Sequence, residues 1–148
     1  MTAVLVDTNV LVYAHDSTEP VKQERAIATL ERLNTTGAGR LSAQCLAEFF
    51  SVVTRGHGPV LTLNEALRQL EALAHAWPTF DVTPLVVLEA ARGVRDHQLS
   101  YWDAQLWATA RLNQVGVIFS EDFRAGTALE GVRFVSPFAR GFALDAWT

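Results

Sequence analysis

An uninterrupted apolar run near the start of the chain, residues 3–6, ends abruptly at Asp7. A run without polar alternation is typical of a strand that is buried on both faces of a parallel sheet. Further along the chain, extended segments alternate with segments of helical periodicity, as in α/β proteins. The sequence therefore predicts an α/β fold whose first strand stops at a carboxylate.

Apolar periodicity, capping residues and glycine or proline breaks indicate the remaining elements. The predicted helices span residues 8–15, 20–33, 43–55, 63–77, 84–94 and 102–114, with Thr62 as a candidate cap. The predicted strands span residues 3–6, 40–42, 80–82, 117–119 and 132–135. No repeat or second-domain pattern interrupts this order, so residues 1–148 are expected to form a single domain.

Composition argues against several classes of protein. A formal charge of −4 argues against a broad basic surface that grips nucleic acid. Cys45 is the only cysteine, so no internal disulfide is possible, and its apolar neighbours indicate a buried side chain. Neither a membrane-spanning run nor a signal peptide is recognisable. We therefore expect a cytoplasmic protein that does not bind membranes.

Four of the sixteen acidic residues stand where surface solvation does not account for them. Asp7 and Asp122 follow predicted parallel strands, and ligands bind beyond the carboxyl ends of such strands. Glu48 lies among apolar neighbours in a predicted helix, where unpaired burial would cost on the order of several kcal/mol. Asp103 begins a predicted helix that leads into the fourth strand.

Each of these acids also has a purely structural interpretation. Asp7 would serve as the cap of the following helix, and the segment around Asp122 would be a loop turn with Ser120 or Asp122 as its cap. Ser100 and Asp103 have the spacing of a capping box. Glu48 would pair with an arginine. The hypothesis of a functional site therefore depends on all four acids meeting in one place.

Parallel strands would bring these acids to one cleft. Two carboxylates about 4 Å apart repel each other by ~4 kcal/mol at an effective dielectric constant of about 20. A hard divalent cation relieves that repulsion, and Mg²⁺ or Mn²⁺ fits better than Zn²⁺ because neither His nor Cys joins the set. The four histidines show no ligand spacing and are interpreted as surface or core residues.

Four segments occur in an order and at a spacing that resemble the PIN-domain family, and within it the VapC-type toxins of bacterial toxin–antitoxin pairs. They are Leu5-Val6-Asp7-Thr8-Asn9, Leu46-Ala47-Glu48-Phe49, Ser100-Tyr101-Trp102-Asp103-Ala104 and Ser120-Glu121-Asp122-Phe123. No segment is specific alone, but the resemblance covers essentially the whole chain. It implies a three-layer α/β fold, with a five-stranded, mostly parallel sheet flanked by helices.

The resemblance also implies an activity and a set of partners. Proteins of this kind are Mg²⁺- or Mn²⁺-dependent endoribonucleases, and the toxins cut structured RNA such as tRNA or rRNA. They usually form homodimers and are held inactive by a small antitoxin whose tail enters the active-site groove.

Site residues follow from the resemblance position by position. The candidate catalytic residues are Asp7, Glu48, Asp103 and Asp122. Metal binding falls to Asp7, Asp103 and Asp122, whereas Glu48 either binds metal or orients the attacking water. Supporting roles fall to Thr8, Asn9, Ser120 and Glu121, and Arg124 is a candidate phosphate contact.

Three other functions compete with this interpretation. A phosphoaspartate phosphatase needs a second aspartate two residues after the first, where this chain has Asn9. A receiver domain needs a lysine late in the sheet, but the only lysine is Lys22. A PIN-like module that binds RNA or protein without cutting is disfavoured because it gains nothing from clustered negative charge that faces phosphates.

Overall fold

Strands and helices alternate along most of the chain, as the sequence predicts. The structure is a computed structural model that describes residues 2–124 and 126–147. Its strands are β1 (Val4–Val6), β2 (Gly39–Ser42), β3 (Thr79–Phe80), β4 (Val117–Phe119), β5 (Ala128–Leu129) and β6 (Val132–Val135). Its helices are α1 (Thr8–Tyr13), α2 (Pro20–Thr36), α3 (Ala43–Val53), α4 (Leu63–Ala76), α5 (Pro84–His97) and α6 (Tyr101–Leu112), followed by a 3-10 turn (Leu144–Trp147).

The strands form one sheet in the order β3-β2-β1-β4-β6-β5. All neighbours are parallel except β5, which runs antiparallel to β6. The three residues of β1 are completely buried, because this strand lies inside the sheet between β2 and β4. Strand β2 lies on one side of β1 and β4 lies on the other. A change of side of this kind opens a crevice at the carboxyl ends of the strands.

The predicted α/β fold is confirmed, with six strands instead of five. The additional strand β5 is only two residues long and pairs with β6 through a tight turn at Glu130 and Gly131. Both turn residues have positive φ, 48° and 84°, as two-residue hairpins require. A strand this short shows no period in the sequence, which explains why it was not predicted.

Several element boundaries depend on local capping. Thr62 caps α4 as predicted, and Glu65 completes the capping box. Helix α2 runs three residues beyond its predicted end, to Thr36, because Gly37 adopts the left-handed conformation that closes helices. None of the helices in the described part of the chain is long and apolar enough to cross a bilayer.

Helices α5 and α6 pack closely because a glycine faces a tryptophan. Trp107 of α6 is completely buried, and its indole N–H donates to the carbonyl of Leu129 at 3.1 Å. A Cβ added at Gly93 of α5 would lie 2.8 Å from this indole ring. Cys45 is likewise fully buried, which confirms the interpretation from sequence.

The contact between Gly93 and Trp107 can be tested by mutation. Glycine to alanine in a helix usually stabilises a protein by roughly 0.5–1 kcal/mol. Gly93→Ala should instead lower the free energy of unfolding by about 1–3 kcal/mol, because the buried indole has no room to move. Urea denaturation followed by circular dichroism measures the change. Gly58→Ala is the control, since its Cβ meets no atom within 4 Å. A Gly93→Ala chain as stable as the wild type would contradict the packing argument.

Candidate active site

The four acids singled out in the sequence lie around one cleft beyond the carboxyl ends of β1 and β4. Asp7 follows β1, Glu48 lies on α3, Asp103 lies in the first turn of α6, and Asp122 follows β4. The cleft has a volume of about 430 Å³. Six carboxylates line it, namely Asp7, Asp16, Glu48, Asp103, Glu121 and Asp122.

Asp7 is both a helix cap and a member of the cleft. Its side chain is buried, and Oδ1 accepts a hydrogen bond of 2.7 Å from the backbone N–H of Thr8 at the start of α1. The other oxygen, Oδ2, accepts a hydrogen bond of 2.7 Å from the hydroxyl of Ser120. The capping interpretation is therefore correct for one oxygen, while the second oxygen belongs to contacts beyond the end of β4.

Asn9 and Ser120 join the two strand-end aspartates. The Asn9 Nδ2 atom lies 3.5 Å from Asp7 Oδ2 and 3.1 Å from Asp122 Oδ2. The same nitrogen lies 3.3 Å from Ser120 Oγ, which also accepts the backbone N–H of Asp122 at 3.1 Å. The Asn9 carbonyl oxygen in turn accepts the backbone N–H of Glu121 at 3.3 Å. These bonds hold the loop after β4 against α1.

Burial and mutual repulsion disfavour the charged forms of two acids in the cleft. Burial raises the pKa of Asp7 to about 6, although the hydrogen bonds from Ser120 and Thr8 act to lower it. The charges of Asp122 and Glu48 raise it further. Burial also raises the pKa of Asp103, and the charge of Asp122 adds to the effect. Asp7 and Asp103 are thus both partly desolvated, and both lie close enough to Asp122 for its charge to act on them.

No cationic side chain in the described part of the chain pairs with the four acids singled out from the sequence. Among residues 2–124 and 126–147, neither Asp7, Glu48, Asp103 nor Asp122 forms an ion pair with Lys, Arg or His. The structural interpretation of Glu48 as the partner of an arginine is therefore wrong. Its Oε1 atom is buried and has no hydrogen-bond partner within those residues.

The donor set fits a hard divalent cation. Carboxylate oxygens are the ligands that Mg²⁺ and Mn²⁺ prefer. The buried Glu48 oxygen has no hydrogen-bond partner in the described chain, and a bound ion would provide a partner for it. The described residues nevertheless contain no group of three Asp, Glu, His or Cys side chains already arranged to hold one ion. The amide of Asn9 lies between Asp7 and Asp122 instead. The cleft thus offers suitable ligands without a preformed cage.

Glu121 differs from the other acids because it has cationic and phenolic partners. Its carboxylate pairs with Lys22 at 2.6 Å and accepts a hydrogen bond of 2.7 Å from the Tyr13 hydroxyl. Partial burial acts to raise the pKa of Glu121, but these two contacts outweigh it and lower that pKa. Sequence reasoning gave no role to Tyr13 or Lys22. The only available signal was that Tyr13 lies one turn beyond Asn9 on the same helix face.

The structure does not bring every candidate residue to the cleft. Thr8 lines it at the start of α1. Arg124 has an exposed side chain and is not among the described residues that line the cleft. Its role as a phosphate contact therefore stays a prediction.

Comparison with known proteins identifies what the chain is similar to. The profile of the PIN domain matches residues 4–127. No curated protein matches significantly.

Several solved structures share the fold. VapC20 from Mycobacterium tuberculosis, described as a toxin that cleaves the sarcin–ricin loop, is 19% identical, with 88% of this chain and 99% of that chain covered and a TM-score of 0.64. The DNA-bound VapBC complex from Salmonella typhimurium gives 17% identity, coverage of 93% and 99%, and a TM-score of 0.65. The FitAB complex bound to a DNA fragment gives 21% identity, coverage of 94% and 98%, and a TM-score of 0.66.

The burial of Asp7 predicts a specific dependence of stability on pH. Its pKa is raised from 3.8 to about 6 in the folded state. The folded chain therefore holds the proton more tightly than the unfolded chain, so the contribution of Asp7 to stability in EDTA should rise as the pH falls through about 6 towards 4. Asp7→Asn removes this contribution and should stabilise the chain at pH 7 by about 1–3 kcal/mol.

Urea denaturation of both chains at several pH values measures the difference in stability between them. Glu71→Gln on α4 is the matched control, because it removes an exposed carboxylate. An Asp7→Asn chain that is less stable at pH 7, or that keeps the wild-type pH dependence, would show that Asp7 is not destabilised by burial.

Proposed function

Because this chain belongs to the PIN-domain family, we propose that it is a metal-dependent endoribonuclease and the toxin of a toxin–antitoxin pair. The observation that carries the proposal is the group of four carboxylates around one cleft without a cationic partner in the described chain. These carboxylates would repel RNA phosphates unless bound cations compensate their charge. The names of the structural neighbours, which include a VapC toxin and toxin–antitoxin complexes, support the same assignment.

The residues of the cleft have different roles in the proposed reaction. Asp7, Asp103 and Asp122 would hold Mg²⁺ or Mn²⁺. When bound, such an ion lowers the pKa of a water molecule and neutralises charge on the phosphate. Ser120 and Asn9 keep Asp7 and Asp122 in position through the hydrogen bonds described above.

Glu48 is suited to the attacking water. Its Oε1 atom is buried and has no partner among the described residues, so it is available to accept a proton or to bind metal. In the hydrolysis, the water oxygen would bond to phosphorus while one bridging P–O bond breaks. The proton lost by the water would pass to this carboxylate, and the leaving oxygen would take up a proton from solvent.

As such a toxin, the chain would act in the cytoplasm. Residues 1–148 would form a single domain, and two copies would form a homodimer. Structured RNA such as tRNA or rRNA is the substrate, and a small antitoxin is the inhibitor. The alternative is a catalytically inactive PIN-like module that binds RNA or protein. The uncompensated acids of the cleft disfavour RNA binding by such a module, because they repel phosphates.

Cleavage of RNA tests the assignment directly. The wild-type chain should cut structured RNA with Mg²⁺ or Mn²⁺ and lose this activity in EDTA. Asp7→Asn should lower the cleavage rate more than about 100-fold while the chain stays folded, because it removes a charged metal ligand. Glu71→Gln, which removes an exposed carboxylate, should leave the rate unchanged. Cleavage in EDTA, or full activity of Asp7→Asn, would refute the proposal.

Ser120 tests whether the hydrogen bonds at the strand ends position the acids. Ser120→Ala should lower the cleavage rate by roughly 10- to 100-fold, because Asp7 Oδ2 loses its strongest neutral donor. Ser136→Ala is a matched control. The hydroxyls of both serines accept a backbone N–H two residues further on, but Ser136 has no described bond to an acid of the cleft. Equal rates for the two variants would exclude a positioning role for Ser120.

A further inference from the structure

A second pocket adjoins the acidic cleft and shares part of its wall. It has a volume of about 450 Å³ and lies between the start of α6 and one face of α3. Its lining residues are Gln44, Ala47, Glu48, Ser51, Trp102 and Gln105. Gln44, Glu48 and Trp102 also line the acidic cleft. The two depressions are therefore continuous, with the indole of Trp102 on their common border.

Trp102 is exposed and is not part of the hydrophobic core. Its side chain is 63% exposed, whereas Trp77 and Trp107 are buried. It directly precedes Asp103, one of the four acids of the cleft. A tryptophan combines a large apolar face with low flexibility, and an exposed one beside a cleft is typical of a contact residue. Its position therefore suits contact with a ligand better than packing in the core.

Side-chain hydrogen bonds hold the first turn of α6 against α3. The side-chain amide of Gln44 donates to the carbonyl of Trp102 at 3.0 Å. The amide of Gln105 donates to Gln44 Oε1 at 3.0 Å and accepts from the Tyr101 hydroxyl at 2.8 Å. The Tyr101 ring meets the indole edge to face, with centroids 5.1 Å apart. Because these contacts already fix the first turn of α6, binding of a flat ligand to this indole costs little further conformational entropy.

We infer that Trp102 is a positioning residue on which an unpaired nucleobase of the RNA substrate stacks. This inference rests on the proposed function and names the class of substrate. A base next to a phosphate at the carboxylates of the cleft would reach the border that Trp102 occupies. The base is uncharged, so the nearby acids do not repel it as they repel phosphate. Bases inside a duplex are already stacked, so this contact selects loops, bulges or single strands.

The polar groups of the pocket agree with a base as the occupant. Each amide nitrogen of Gln44 and Gln105 has two N–H groups, and the described contacts use one of each. A base carries hydrogen-bonding groups on its edge and π-faces above and below, which matches amides beside an indole. Stacking also tolerates any base, so Trp102 positions the strand without dictating one sequence.

Binding without cleavage provides the test. Asp7→Asn is the background, so that RNA stays intact in Mg²⁺. The probe is a short oligouridylate that carries one 2-aminopurine, used single-stranded and annealed to its complement. Trp102→Leu keeps apolar area but removes the π-face, Trp102→Phe keeps a π-face, and Leu85→Ala removes an equally exposed apolar side chain from α5. Fluorescence anisotropy gives Kd, and 2-aminopurine emission reports stacking.

Trp102→Leu should raise the Kd for the single strand by roughly 5- to 100-fold and abolish the quenching of 2-aminopurine, whereas Trp102→Phe and Leu85→Ala should change little. Binding of the duplex should be the same for all variants. A Kd for Trp102→Leu within about twofold of the background overturns the inference, and is the expected result if a protein segment occupies the pocket instead. Equal weakening of single-strand and duplex binding, or Trp102→Phe as weak as Trp102→Leu, overturns it as well.

Failure of the inference can be told from failure of the proposed function. If only the role of Trp102 is wrong, the wild-type chain still cleaves RNA and the background chain still binds it. If the proposed function is wrong, the wild-type chain cleaves no RNA, and binding to the Leu85→Ala variant then tells a chain that only binds RNA from one that does not bind it. Absence of binding from every variant overturns the inference together with the function.

Discussion

The hydrogen bond between the Ser120 hydroxyl and Asp7 Oδ2 joins the ends of two buried strands, and the geometry of the cleft depends on it. Parallel pairing of β1 with β4 places Val6 beside Phe119, so the next residue of each strand emerges at the same edge of the sheet. Asp7 and Ser120 meet there, with the Asp7 N–H already bonded to the carbonyl of Phe119 at 2.9 Å. Asn9 then extends the contact to Asp122.

This arrangement places the carboxylate of Asp7 where burial disfavours its charged form. The strands that end at the cleft are wholly apolar and buried, and this burial also removes solvent from Asp7. The raised pKa of Asp7 is the direct consequence. Functional sites commonly carry such locally unfavourable groups, supported by a well-packed remainder of the fold. Here the support is the core on both sides of β1 and the close contact between α5 and α6.

Much of the fold was predictable because local sequence decides it. Apolar runs gave the strands, helical periodicity gave all six helices, and Thr62 gave a correct cap. The hairpin at Glu130 and Gly131 was not predicted, because a two-residue strand has no periodicity. The pairing of Glu121 with Lys22 and Tyr13 was also missed, since these residues lie about a hundred positions apart and meet only through the sheet.

Local sequence patterns are enough to predict the α/β alternation, the acids after β1 and β4, and the acid among apolar neighbours on α3. They leave open whether each acid caps a helix, pairs with an arginine or belongs to a site, because local patterns do not record which distant groups come together. Asp7 uses one oxygen as a cap and the other towards Ser120, and this second contact depends on the pairing of two distant strands in the folded chain. Only long-range packing leaves a buried oxygen of Glu48 without a partner in the described chain and holds Trp102 exposed beside it.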